Sequence, residues 1–149
     1  MSKKPFGFDK PQDSPGFLLW QTTMLWQRHI KNALEPYNIA HSQFVIMATL
    51  LWFEMHEQDI TQAFIVNWTK LDKMTVSKGI RDLVVRGLIN RVEHETDLRA
   101  KNVSLTDDGK KMIQALVPIV EAIDEKFFGT VQNIEKERLI DILGKLITG

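Results

Sequence analysis

The chain has 149 residues, 44% of them hydrophobic, with 19 basic side chains balanced by 19 acidic ones and no cysteine. This length suits one domain that buries a core without disulfides or metal, and the missing cysteines exclude a disulfide framework, a thiolate metal site and a thiol redox sensor. There is no apolar run long enough for a transmembrane helix, and MSKKPFGFDKPQDSPG lacks the apolar segment of a secretory signal, so a cytoplasmic protein with no membrane partner is expected.

Residues 1–13, rich in Pro, Gly and Lys and without periodicity, read as a flexible tail. Ser14-Pro15 offers an N-cap followed by a first-turn proline, and predicts a helix from Pro15 to about Glu35, stopped by Pro36. That helix carries one apolar stripe through Leu19, Trp26, Ile30, Ala33 and Leu34 and a second through Phe17, Trp20 and Met24, so it has more than one surface to cover. His41 to His56 is apolar nearly all round and reads as a buried central helix. A short helix is predicted over Thr61 to Thr69, with Asp59 as its candidate cap.

A tight connection at Lys70-Leu71-Asp72 leads to a helix predicted over Lys73 to Arg86. Val76, Ile80, Leu83 and Val84 form its inner stripe, while Thr75, Lys78, Arg81 and Asp82 face outward. Gly87 stands where a helix ends in a left-handed residue. Two helices joined by a short turn, the second basic on its outer face, fit a helix-turn-helix. Leu88 to His94 and Lys101 to Leu105 predict a hairpin whose loop, Glu95 to Ala100, carries Asp97 and Arg99. Thr106 with Asp107 and Asp108 opens another helix, running to about Phe128, kinked at Pro118 and broken at Gly129. A last helix, Ile134 to Ile147, is predicted to bury Leu139, Leu143, Leu146 and Ile147. The fold class is mainly α with a small β component (α+β).

Charge is segregated along this order. From Lys70 to Lys101 there are eight Lys/Arg against five Asp/Glu, a net +3, which leaves −3 for the rest of a neutral chain. A basic helix fits the major groove of B-DNA, where base edges distinguish all four pairs. Thr75 and Lys78 are the candidates for base contact, Arg81 for bases or phosphate, Ser77 for the flank, and Lys73 and Ser42 for phosphates.

Five motifs in this order resemble the MarR family of winged-helix transcription regulators: Thr61-Gln62; Leu71-Asp72 with Thr75-Val76-Ser77; Gly87-Leu88-Ile89 with Arg91; Asp97 with Arg99; and Leu105-Thr106 with Gly109. The chain departs from the family pattern at Val66, Trp68 and Met74. The resemblance implies a winged helix-turn-helix over residues 41–111 and a helical dimerisation region from residues 14–36 and 112–149. It further implies a homodimer on a pseudo-palindromic operator, a repressor role, and a wing in which Arg99, held by Asp97 and accompanied by Lys101, reaches the minor groove. A small aromatic effector is also implied, with Trp20, Met24, His29, Tyr37, Trp52 and Trp68 as candidate lining residues.

His29, His41, His56 and His94 show no metal-ligand spacing, and no nucleophile elbow or phosphate-binding glycine loop is present. No metal, no cofactor and no enzymatic activity are therefore expected. The neutral net charge leaves one alternative open, a winged helix that serves as a protein-interaction module without DNA binding.

Overall fold

The computed structural model describes residues 5–93 and 101–149. Its elements run α1 (Pro15–Leu34), α2 (His41–Met55), β1 (Ile60–Thr61), α3 (Gln62–Thr69), α4 (Lys73–Val85), β2 (Ile89–Glu93), β3 (Lys101–Leu105), α5 (Asp107–Phe128) and α6 (Asn133–Thr148). The first helix starts as its sequence requires: the Ser14 hydroxyl accepts the Phe17 N–H at 3.2 Å and Pro15 fills the first turn. It gives way at Glu35-Pro36-Tyr37 to a 3-10 turn that ends on left-handed Asn38. Ahead of it, Pro11–Asp13 forms another 3-10 turn.

Asp59 does not cap α3. Ile60 and Thr61 instead pair with Val103 and Asn102 as a short edge strand, so the chain stays extended through Thr61, whose hydroxyl accepts the Phe64 N–H at 3.1 Å. The antiparallel sheet has the order β1-β3-β2, with Ile89 opposite Leu105 and Arg91 opposite Val103. Ile89 and Val103 turn inward and Val92 outward, the alternation expected of a sheet with one covered face. Glu54 of α2 ties this sheet to the helices by accepting the Leu105 N–H at 2.8 Å.

The core forms where α2, α3, α4 and α5 meet. Ile46, Met47, Leu50, Ile65, Val76, Ile80, Leu83, Ile113 and Leu116 are fully buried there, and Ile30 and Leu34 bring the end of α1 into the same cluster. Two glycines set close approaches. A Cβ on Gly79 would stand 3.0 Å from Ile46 Cδ1, so a larger residue there would press on the end of that side chain where α4 lies on α2. A Cβ on Gly109 would stand 1.9 Å from the Leu88 carbonyl oxygen, which already accepts the Thr106 N–H at 3.1 Å.

Three expectations change. Val84 is exposed rather than inward, because the buried face of α4 is centred on Val76, Gly79, Ile80 and Leu83. The C-terminal turn of α2 runs past the core, leaving Trp52 and Met55 exposed. Nothing in α6 is buried: Leu139 and Leu143 are half-covered, and Leu146 and Ile147 are open to solvent, because the apolar face of α6 is wider than the surface a single chain offers it. The exposed Leu18, Leu19 and Trp20 of α1 have the same cause. No described helix is long and apolar enough to cross a membrane.

Candidate nucleic-acid interface

Local hydrogen bonds set the entry of α4. Lys70 ends α3 in the left-handed conformation, and the Thr69 hydroxyl donates to the Ile65 carbonyl at 2.7 Å while accepting the Leu71 N–H at 3.2 Å. Asp72 then caps α4, accepting the Thr75 N–H at 2.7 Å on one oxygen and the Thr75 hydroxyl at 2.8 Å on the other. The Thr75 N–H first, and its hydroxyl second, hold the Asp72 carboxyl below the usual carboxylate value. Because the Thr75 hydroxyl hydrogen is committed to Asp72, its oxygen remains available only as an acceptor.

At its far end α4 closes with paired bonds, Gly87 N–H to the Val84 carbonyl at 3.0 Å and Leu88 N–H to the Leu83 carbonyl at 2.9 Å. Gly87 takes φ +74°, which favours glycine. The Thr106 hydroxyl donates to the Gly87 carbonyl at 2.6 Å and accepts the Gly109 N–H at 3.0 Å. The Gly-Leu-Ile and Leu-Thr-x-x-Gly motifs are thus two halves of one joint, which fixes α4 and the hairpin against the start of α5. Arg86 adds a second brace, donating to the carbonyls of Asn38 at 2.6 Å and Tyr37 at 3.2 Å.

The outer face of α4 presents Met74, Lys78, Arg81 and Val85 in a row at i, i+4, i+7 and i+11, with Met74 83% and Val85 87% exposed. Thr75 and Ser77 flank this row, half-buried, and Lys73 is exposed in the first turn. Met74, Thr75, Ser77, Lys78 and Arg81 together line a shallow depression of about 330 Å³. Five of the predicted contact residues, Lys73, Thr75, Ser77, Lys78 and Arg81, therefore share one end of one helix. Ser42 belongs to another element. It sits half-buried in the first turn of α2, whose Gln43 lies behind Gly79 on the inner side of α4. Lys101 opens β3 opposite Glu93, and Asp97 and Arg99 lie outside the described residues. The sequence marks Met74 as a departure from the family pattern but not as part of the outward row, although its i, i+4, i+7 spacing to Lys78 and Arg81 is readable.

Of the six candidate lining residues of an effector cleft, His29 borders a described cavity. Trp20 is exposed on α1, and Met24 is half-buried one turn on. The Tyr37 carbonyl is held by Arg86, Trp52 lies tilted against His56 with ring centroids 4.4 Å apart, and Trp68 packs on Phe53 and Phe64. His29 lies 6.1 Å from the Phe127 ring and lines an apolar cavity of about 550 Å³ with Thr22, Ile123, Lys126, Phe127, Phe128, Val131 and Leu139. A more polar cleft of about 570 Å³, lined by Lys31, Glu35, Asn38, Asp82 and Arg86 among others, separates the end of α1 from the end of α4.

A joint with no sequence signal links α1, α2 and α5. The Trp26 indole N–H donates to Asp124 at 2.7 Å, and its ring meets His41 edge-on at 5.1 Å. Burial lowers the His41 imidazole below its ordinary value, and the nearby Asp124 carboxylate opposes that shift.

With this geometry in place, known proteins match throughout. Residues 35–123 match the family described as ArnR1-like, winged-helix domain. The HTH-type transcriptional regulator YdcH of Bacillus subtilis is 36% identical over 140 residues, covering 94% of this chain and 94% of its own. A MarR transcriptional regulator from Methanosarcina mazei is 26% identical with a TM-score of 0.74, covering 89% of this chain and 93% of the other. The chain belongs to the MarR family of winged helix-turn-helix transcriptional regulators. BpsR of Bordetella bronchiseptica, whose DNA binding is regulated by 6-hydroxynicotinic acid, shares the fold at a TM-score of 0.82 and 24% identity, over 94% of this chain and 97% of its own. In this MarR-family chain, α3 and α4 are the helix-turn-helix and β2–β3 the wing, and the relatives are regulators of transcription.

Proposed function

We propose that this MarR-family protein is a cytoplasmic repressor that binds a pseudo-palindromic double-stranded operator as a homodimer and is released by a small aromatic ligand. The observation that carries the reading is the outer face of α4, where Lys78 and Arg81 stand exposed with Lys73 ahead of them and the half-buried Thr75 and Ser77 alongside. A helix of this kind enters a major groove, and its cations neutralise phosphates or reach guanine edges. In this reading Asp97, Arg99 and Lys101 form the wing at the minor groove.

One such domain reads one half-site, and two half-sites a helical turn apart, about 34 Å, call for a two-fold dimer. The unburied apolar faces of α1 and α6, with Leu18, Leu19 and Trp20 on one and Ile140, Ile142 and Leu146 on the other, support residues 14–36 and 112–149 as the dimerisation region. The control of BpsR by 6-hydroxynicotinic acid supports an aromatic effector. The apolar cavity beside His29 and Lys126 falls within the volume range of small-molecule sites.

The test is a gel shift with purified protein on DNA flanking its own coding region, with and without a panel of aromatic acids. The reading predicts a shift that one of the acids abolishes, and that Lys78→Ala with Arg81→Ala weakens at least about tenfold. Folded protein that shifts no such DNA at low salt overturns it. The exposed Trp52, Met55 and Trp68 favour a second reading, a protein-interaction module; in that case no duplex binds and the Lys78 and Arg81 substitutions change nothing.

A further inference from the structure

The outer row of α4 opens with a residue that neither charge nor hydrogen bonding explains. Met74 is 83% exposed in the first turn, ahead of Lys78 and Arg81 in the same row and at the rim of the depression they share with Thr75 and Ser77. A long apolar side chain held this far into water adds nothing to the core, and the fold gives no reason for it. Its polar neighbour is restricted as well. The Thr75 hydroxyl donates to Asp72 at 2.8 Å, so at this end of α4 the threonine accepts hydrogen bonds and does not donate them.

The edges of bases in the major groove are nitrogen and oxygen donors or acceptors, with one apolar exception, the C5 methyl of a pyrimidine. A thioether side chain is unbranched, polarisable and adaptable, and it gains most from apolar contact of that kind. Resting on the reading of α4 as the groove helix, we infer that Met74 is a specificity-determining residue that packs on a pyrimidine C5 methyl at one position in each half-site. The methyl is carried by thymine or by 5-methylcytosine. Lys78 and Arg81, further along the same row, supply the charged contacts, and Met74 supplies the discrimination that charge cannot. The cost of exposing Met74 in the free protein is recovered when the methyl covers it.

The experiment uses the full-length protein to select duplexes from a random-sequence library. Each thymine of the selected duplex is then replaced singly by deoxyuridine, which removes only the methyl, and binding is read by fluorescence anisotropy at fixed salt. The inference predicts one thymine per half-site at which the replacement weakens wild-type binding about fourfold, and about fifteenfold when both half-sites are changed. Met74→Ala and Met74→Gln should bind the thymine and deoxyuridine duplexes equally, and because Met74 is exposed both variants should keep the wild-type melting temperature. At that position 5-methylcytosine should bind about fourfold tighter than cytosine, and comparing it with thymine shows which base is the natural source of the methyl. If deoxyuridine leaves wild-type affinity unchanged at every thymine, or if the loss persists in Met74→Ala, the inference is overturned while DNA binding stands. If no duplex is enriched, the DNA-binding reading fails and the inference fails with it.

Discussion

Replacing Gly109 by alanine tests the joint that holds the helix-turn-helix and wing against α5. The added Cβ would lie 1.9 Å from the Leu88 carbonyl oxygen, a backbone atom that cannot rotate away. The first turn of α5 must retreat by more than an ångström, which overpacks the joint at a cost of about 1–3 kcal/mol. The same retreat stretches the Thr106 N–H to Leu88 bond of 3.1 Å and the Thr106 hydroxyl to Gly87 bond of 2.6 Å, each worth about 1 kcal/mol. Alanine returns about 1 kcal/mol through helix propensity. The balance is a loss of about 2–4 kcal/mol, equal to a fall of about 5–12 °C in melting temperature for a chain of this size. Gly16→Ala is the control: its Cβ would meet nothing nearer than the Ser14 hydroxyl at 4.0 Å, so the melting temperature should hold or rise slightly. The assay is thermal unfolding followed by circular dichroism. A Gly109→Ala protein that melts at or above the wild-type temperature would refute the argument.

Other predictions rest on separate contacts. Thr106→Val keeps the shape and removes the hydroxyl that caps α5 and holds Gly87, and should cost about 1–2 kcal/mol in a urea unfolding series. Arg86→Ala releases the Tyr37 and Asn38 carbonyls, so amide hydrogens around residues 35–40 should exchange faster while those of α5 do not change. His41 is held below its ordinary value of 6.5 chiefly by burial. The unfolded chain therefore takes up its proton first, and stability should fall as pH drops below 6.5, with Trp26 and Asp124 the groups that face it. His41→Gln should flatten that slope between pH 7 and about 5, and an unchanged slope would exclude His41 as its source. Leu146→Glu on the open face of α6 should shift light scattering at micromolar concentration from two chains to one; a wild-type protein that is already a monomer would rule out the dimer.

What could be read from the sequence was local. Ser14, Gly87 and Thr106 announce helix ends through bonds to residues at most five positions away, and the structure places those bonds as expected. The buried row of α4 was legible except at its rim, where Val84 lies a quarter-turn from the centre and exchanges places with Gly79. The same small phase error hid Met74 behind Thr75 as the leading outward residue. Long-range features left no trace in the sequence. Ile60-Thr61 is a strand only because Val103 and Asn102 lie beside it, and the Trp26–Asp124 bond joins residues 98 positions apart. Apolar content alone does not say what covers it, so α6 read as buried yet stands open. Aromatic residues chosen by type carry no helix phase: Trp52 meets His56 of its own helix, and Trp68 stacks on Phe64 of its own.

The central claim, that the outer face of α4 reads DNA, is tested most directly by the salt dependence of binding. Affinity for a duplex selected by the protein is measured by anisotropy between 50 and 200 mM salt, roughly the span over which counterion release is felt. If Lys73, Lys78 and Arg81 from each of two copies meet phosphates, the logarithmic slope is about −5, and Lys78→Ala lowers its magnitude by about 2 per dimer. A slope near zero, or one that Lys78→Ala and Arg81→Ala leave unchanged, would contradict the account.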